Sequence, residues 1–198
     1  MKNHILEFPK WVHEFAKNYG LNIANIYIIH GEIHHLITHR TNKREKLLIH
    51  EFIAEIIFGN IDVIAYYNQI EGLSFSTQEM SFNYKKTMNE ILKNEKSENL
   101  FSMDPKKIFY YLDRYFQYNI KKNTKRKTSR IVFIINSTEV IKNDYCLDKL
   151  IQWGNNTEFS TRDISIIYLT DNLDNISTLL KPFSPIIEIK ITNPEETI

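Results

Sequence analysis

Residues 130–138 read RIVFIINST, an unbroken apolar run with turn-forming polar residues behind it. A strand with one wet face alternates apolar and polar residues. A run without alternation is buried on both faces, which is the condition of a central strand in a parallel sheet covered by helices. IYIIHG (26–31), DVIAYYN (62–68) and DISIIYLTDN (163–172) repeat the pattern, and IIEIKI (186–191) closes the series as an alternating strand.

Helical periodicity fills the gaps between these runs. Residues 5–19 predict a helix with Pro9 in its first turn, Trp11 and Phe15 on one face, and Gly20 at its end. KREKLLIHEFIAEIIFG (43–59) gives the clearest helical spacing, through Leu48, Phe52, Ile53, Ile56 and Ile57, with Gly59 as a C-cap. DPKKIFYYLDRYFQYNI (104–120) opens with Asp104 as N-cap and Pro105 at the first helical position. CLDKLIQWGNN (146–156) is a short helix stopped by Gly154, and LDNISTLLKPF (173–183) must stop before Pro182.

Strands that alternate with helices predict an α/β fold: a three-layer αβα sandwich around a mainly parallel sheet of about five strands, with the 130–137 strand between others. The chain is expected to form one domain over 1–198. An N-terminal helix falls within 1–22, and a polar insertion spans 74–103, where SFNYKKTMNEILKNEKSEN reads as a weak helix or a mobile insertion.

With 42% hydrophobic residues in 198, the chain can bury a sizeable core, and a formal net charge of +1 gives no bulk attraction to nucleic acid or anionic membrane. One cysteine, Cys146, excludes an internal disulfide and a cysteine-based metal cluster, and suits a reducing cytoplasm. The charged N-terminus is not a signal peptide, and no run approaches the ~18 apolar residues of a membrane span. A soluble cytoplasmic protein is expected.

In open parallel sheets ligands bind at the carboxyl ends of strands. Those ends carry Gly31, Asn68, Asn136 to Thr138, and Thr170 to Asn172. IYIIHGEIHHLITHR (26–40) also holds four histidines: His30, His34, His35 and His39. A zinc helix needs two histidines four apart with a glutamate beside the first. The spacing recurs here, but the segment leaves a strand through Gly31 and contains no HExxH, so the histidines are read as solvated polar residues and no metal is expected.

A phosphate loop follows a buried strand with the pattern GxxxxGK[ST], whose backbone amides and lysine hold the phosphates while the hydroxyl binds magnesium. Laid from Gly31, that pattern meets GEIHHLIT. Gly31 and the final hydroxyl, Thr38, are present. Leu36 replaces the second glycine, Ile37 replaces the lysine, and Glu32 would repel phosphate. The second nucleotide motif ends a strand with acids that hold magnesium; here Asn136 and Ser137 stand in those places. Thr170 and Asn172 occupy the tip of the next strand, where a polar side chain senses the terminal phosphate in many ATPases. Neither ATP nor magnesium is expected to bind.

The order of these features, closing in PFSPIIEIKITNPEE, resembles the core of an AAA+ ATPase, a P-loop NTPase fold, over nearly the whole chain. HGEIHHLI and DVIAYYNQIEGLSF resemble more closely the degenerate N-terminal domain of bacterial two-part AAA ATPases, which show G-N-V-x-D after the first strand and a y-d-…-G-l-x-f word after the second. Glu32 and His35 replace the usual Asn and Asp of the first word. The resemblance implies a non-catalytic module serving in assembly or partner docking, with an AAA+ ATPase or a second copy as partner. It also implies a vestigial nucleotide site at Gly31, Thr38, Asn136, Ser137, Thr170 and Asn172. The helical lid and complete ATPase domain that follow in relatives are expected to be absent from these 198 residues. Two alternatives stand beside this reading. One is a nucleotide-binding or weakly hydrolysing ATPase. The other is a nucleic-acid binder that uses KKNTKRKTSR, with Lys121, Lys122, Lys125, Arg126, Lys127 and Arg130 as phosphate contacts.

Overall fold

The computed structural model describes residues 8–34, 36–38, 46–93, 100–122 and 130–191. In chain order its elements are α1 (Lys10–Gly20), β1 (Ile26–His30), β2 (Ile37–Thr38), β3 (Lys46–Leu47) and α2 (Ile49–Phe52), which continues as a π-helical segment (Ile53–Ile57). Then follow β4 (Val63–Asn68), β5 (Gly72–Phe75), α3 (Gln78–Leu92), α4 (Pro105–Lys122), β6 (Ile131–Asn136) and α5 (Glu139–Lys142). The last are α6 (Asp144–Gly154), α7 (Thr157–Thr161), β7 (Ile164–Thr170), α8 (Asp174–Leu180) and β8 (Ile186–Lys190).

The six-stranded sheet has the order β5-β4-β6-β7-β1-β8. All five expected strands are present and parallel, with β6 between β4 and β7. The sixth, β5, is antiparallel to β4 at one edge. It was not foreseen, because four residues after a tight turn carry too little pattern to register.

The double burial read from the apolar runs takes a definite form. Alternate residues of each strand enter two separate cores. Ile131, Phe133 and Ile135 of β6 join one core with α3 through α8; Val132 and Ile134 join the other with α1 and α2. In β1, Ile26 and Ile28 divide from Tyr27 and Ile29 in the same way. Three layers result, with the sheet in the middle. Among the described residues no helix is long and apolar enough to cross a membrane.

Several boundaries differ from expectation. Helix α1 begins at Lys10, and Pro9 stands just before it with ψ of 147°. The 43–59 helix is not continuous: Lys46–Leu47 pair antiparallel with Ile37–Thr38, and the helix proper starts at Ile49. Its second half is π-helical, an opening of the backbone that periodicity cannot reveal. In the polar middle, α3 packs Tyr84, Met88 and Leu92 into the larger core, a stripe at four-residue spacing within a lysine-rich segment. Helix α4 starts as expected, with the Asp104 carboxylate accepting from the Lys106 amide at 3.0 Å.

Candidate functional site at the carboxyl ends of the strands

The register aligns the expected row. Asn68 pairs with Asn136, and His30 lies between Thr170 and Lys190. Gly31, Asn68, Asn136, Ser137, Thr170 and Asn172 therefore share one edge of the sheet. Thr38 does not follow them onto a helix; it sits in β2, opposite Lys46.

The strand-to-loop exit after β1 is closed by its own backbone. The Gly31 amide donates to the Thr170 carbonyl at 3.1 Å, and the Ile33 amide donates to the Gly31 carbonyl at 2.7 Å. On the other side, the Ile191 amide donates to the His30 carbonyl at 2.8 Å. Gly31 has φ of +111°, and a Cβ there would lie 3.3 Å from the Ile191 carbonyl oxygen, so the glycine serves this close approach. A phosphate cradle needs amides that point free into a concavity. Here two of the relevant amides are spent on carbonyls.

Helix α2, which would present its N-terminus to a phosphate, is separated from β1 by the β2–β3 hairpin. Its first turn already has an anion. Glu51 accepts a hydrogen bond from the Leu48 amide at 2.8 Å, complementing the positive end of the helix. The sequence carries this signal as an acid at the third helical position, but the expected start at residue 43 placed Glu51 in mid-helix.

The remaining polar residues of the row are engaged locally. Thr170 is buried, and its hydroxyl accepts from the Asn172 amide at 3.1 Å and donates to the Asn172 carbonyl at 2.9 Å. The Asn172 side chain accepts from the Asp174 amide at 3.1 Å, at the start of α8. Asn68 caps the β4–β5 turn, accepting from the Ile70 and Glu71 amides at 2.9 and 2.8 Å. Asn136 is half-buried; Ser137 is buried, with its carbonyl accepting from the Tyr168 hydroxyl and its own hydroxyl unpartnered. Tyr67 similarly ties the Met103 carbonyl at 2.6 Å. These two tyrosine tethers hold the segment before α4 and the loop beyond β6, and they were not foreseen.

Exposed Leu36 and half-buried Ile37 stand where the phosphate-loop pattern has glycine and lysine, and Asn136 and Ser137 stand where the second motif has its acids. Of the four histidines, His35 and His39 lie outside the described residues. His34 is exposed; His30 is half-buried, and burial lowers its pKa below the ordinary range, with Glu188 opposing and Lys190 reinforcing the shift. Among the described residues no three His, Cys, Asp or Glu side chains gather as a metal site.

Of the basic segment 121–130, Arg130 stands at the opposite end of the sheet, where β6 begins. Lys125, Arg126 and Lys127 lie outside the described residues, and Lys121 is exposed. The Lys122 ammonium is 3.9 Å from Glu90 and 3.0 Å from the Tyr118 hydroxyl. The Arg130 guanidinium donates to the Asn60 carbonyl and lies 4.0 Å from Asp62. An open depression of about 450 Å³ at this end is lined by residues 55–61 and Arg130, far from the strand tips.

The family described as "AAA+ chaperone, N-terminal Rossmann-like domain" matches residues 2–192. No curated protein matches the chain. The match spans every described strand and helix. This chain belongs to the AAA+ chaperone N-terminal Rossmann-like domain family.

Proposed function

We propose that this domain is a non-catalytic AAA+-like module that serves in assembly or in docking a partner ATPase, with a vestigial nucleotide site at the carboxyl edge of its sheet. The observation that carries the reading is the closed exit of β1, where the Gly31 and Ile33 amides bond to carbonyls and Glu51 takes the helix end. With these two amides engaged, and with Ile37, Asn136 and Ser137 in the places of the lysine and the acids, the edge offers little to stabilise a transferring phosphoryl. What remains is a rigid sheet with two helical faces, suited to carrying contacts rather than chemistry. The partner is an AAA+ ATPase or a second copy of the chain. The lone buried thiol of Cys146 fits a reducing cytoplasm. The pairing of Lys122 and Arg130 with acids weighs against the basic loop as a phosphate-binding surface.

Calorimetric titration with Mg-ATP tests this directly. We expect no binding at concentrations on the order of a millimolar. Micromolar binding that Thr38→Ala abolishes would overturn the reading in favour of a nucleotide-binding ATPase.

A further inference from the structure

Helix α3 buries Tyr84, Met88 and Leu92 and turns the opposite stripe outward. That stripe runs Glu79, Phe82, Lys85, Lys86, Asn89, Glu90 and Lys93, at helical spacing. Phe82 is 68% exposed in the middle of it, within a shallow depression of about 610 Å³ formed with Lys85, Lys86, Asn89 and Glu90.

The charges around Phe82 are unequal. Glu90 is engaged from α4: its carboxylate accepts from the Tyr118 hydroxyl at 2.9 Å and lies 3.9 Å from Lys122. Lys85 and Lys86 have no ion-pair partner among the described residues. Exposed Lys93 extends the positive character along the helix, and Glu79, one turn before Phe82, is the one acid of the stripe left to oppose it. An aromatic ring one turn before two adjacent unpaired ammonium groups suits an apolar side chain followed by carboxylates.

We propose that the outer face of α3 is the docking surface for an acidic protein segment with an apolar anchor, which packs on Phe82 while its carboxylates meet Lys85 and Lys86. The proposal rests on the docking reading above and names the chemistry of the docked segment. A single-stranded nucleic acid is the rival polyanion. Glu90 beside Phe82, and a chain with a net charge of only +1, favour the peptide, whose spaced carboxylates can avoid Glu90.

Fluorescence anisotropy with a labelled Glu/Leu peptide, and with its Lys/Leu counterpart, tests this on the full chain. The acidic peptide should bind and the basic one should not. Lys85→Glu with Lys86→Glu should weaken binding at least about tenfold, and Phe82→Ala about fivefold, at an unchanged melting temperature because all three positions are exposed. Glu79→Lys should tighten it. Equal binding of both peptides, or an unaltered affinity in the charge-reversed variant, would overturn the proposal. So would tighter binding of a single-stranded oligonucleotide that the same variants abolish. Failure of the peptide leaves the nucleotide titration untouched, so the two readings fall separately.

Discussion

At the residue scale, Asn25 shows how a single side chain can order a whole end of the molecule. Buried at the entry to β1, its Nδ2 donates to the carbonyls of Trp153, Gly154 and Asn156 at 2.8–3.1 Å, and its Oδ1 accepts from the Ser160 hydroxyl at 2.6 Å. It satisfies the open carboxyl end of α6 from the start of β1. Asn25→Ala removes all four hydrogen bonds, although the Trp153 and Asn156 carbonyls still accept from the Asn156 and Phe159 amides, and should cost about 1–3 kcal/mol in denaturant unfolding; a loss under about 0.5 would contradict the assignment. Nothing local in NIANIY announces this role, because all the partners come from the last quarter of the chain.

A second residue-scale prediction concerns pH. Burial pushes the hydroxyls of Tyr27, Tyr67 and Tyr115 and the Cys146 thiol up to about 12. Each group holds its proton more tightly folded than unfolded. The stability this contributes is complete below the ordinary values, about 8.5 for thiol and 10 for phenol, and is lost as pH rises towards 12. The melting temperature should therefore hold through pH 8 and fall steadily between about 9 and 12, while Cys146 reacts slowly with thiol reagents at pH 8. A melting temperature that rises over that alkaline window would refute the account.

At the element scale, legibility followed length and uniformity of pattern. Four of the parallel strands were readable because runs such as IVFII and IYIIH allow no face to be wet, and the fifth, at 186–190, from its β-branched composition. Helix α4 was readable because Asp104 and Pro105 mark its start. The β2–β3 hairpin was hidden because LLIHEFIAEII has a helical period throughout, and strand pairing with Ile37–Thr38 overrides that period at Lys46 and Leu47. The β4–β5 turn was hidden for a different reason: Gly72 matters through a distant loop. It has φ of +75°, and a Cβ would lie 2.6 Å from the Ser102 carbonyl oxygen and 2.7 Å from that of Phe101. Gly72→Ala should destabilise the domain by about 1–3 kcal/mol through both strain and contact. Thermal unfolding at wild-type temperature would show that the 101–102 loop yields freely.

At the scale of the whole molecule, the fold keeps the arrangement in which a ligand would sit and fills it with backbone bonds. GEIHHLIT and IINST carry Leu36, Ile37, Asn136 and Ser137 openly in the sequence. The closure was not legible there, since the carbonyls of Thr170 and the main chain of Ile191 reach Gly31 only after the sheet has brought β7 and β8 to either side of β1. Hydrogen–deuterium exchange, read at the amides of Gly31 and Ile33 with and without Mg-ATP, tests the central claim of a closed exit most directly. Both amides should be protected in the free protein and unchanged by nucleotide. Rapid exchange in the free protein that slows when Mg-ATP is added would mean that these amides are free to cradle phosphate, and would contradict the account.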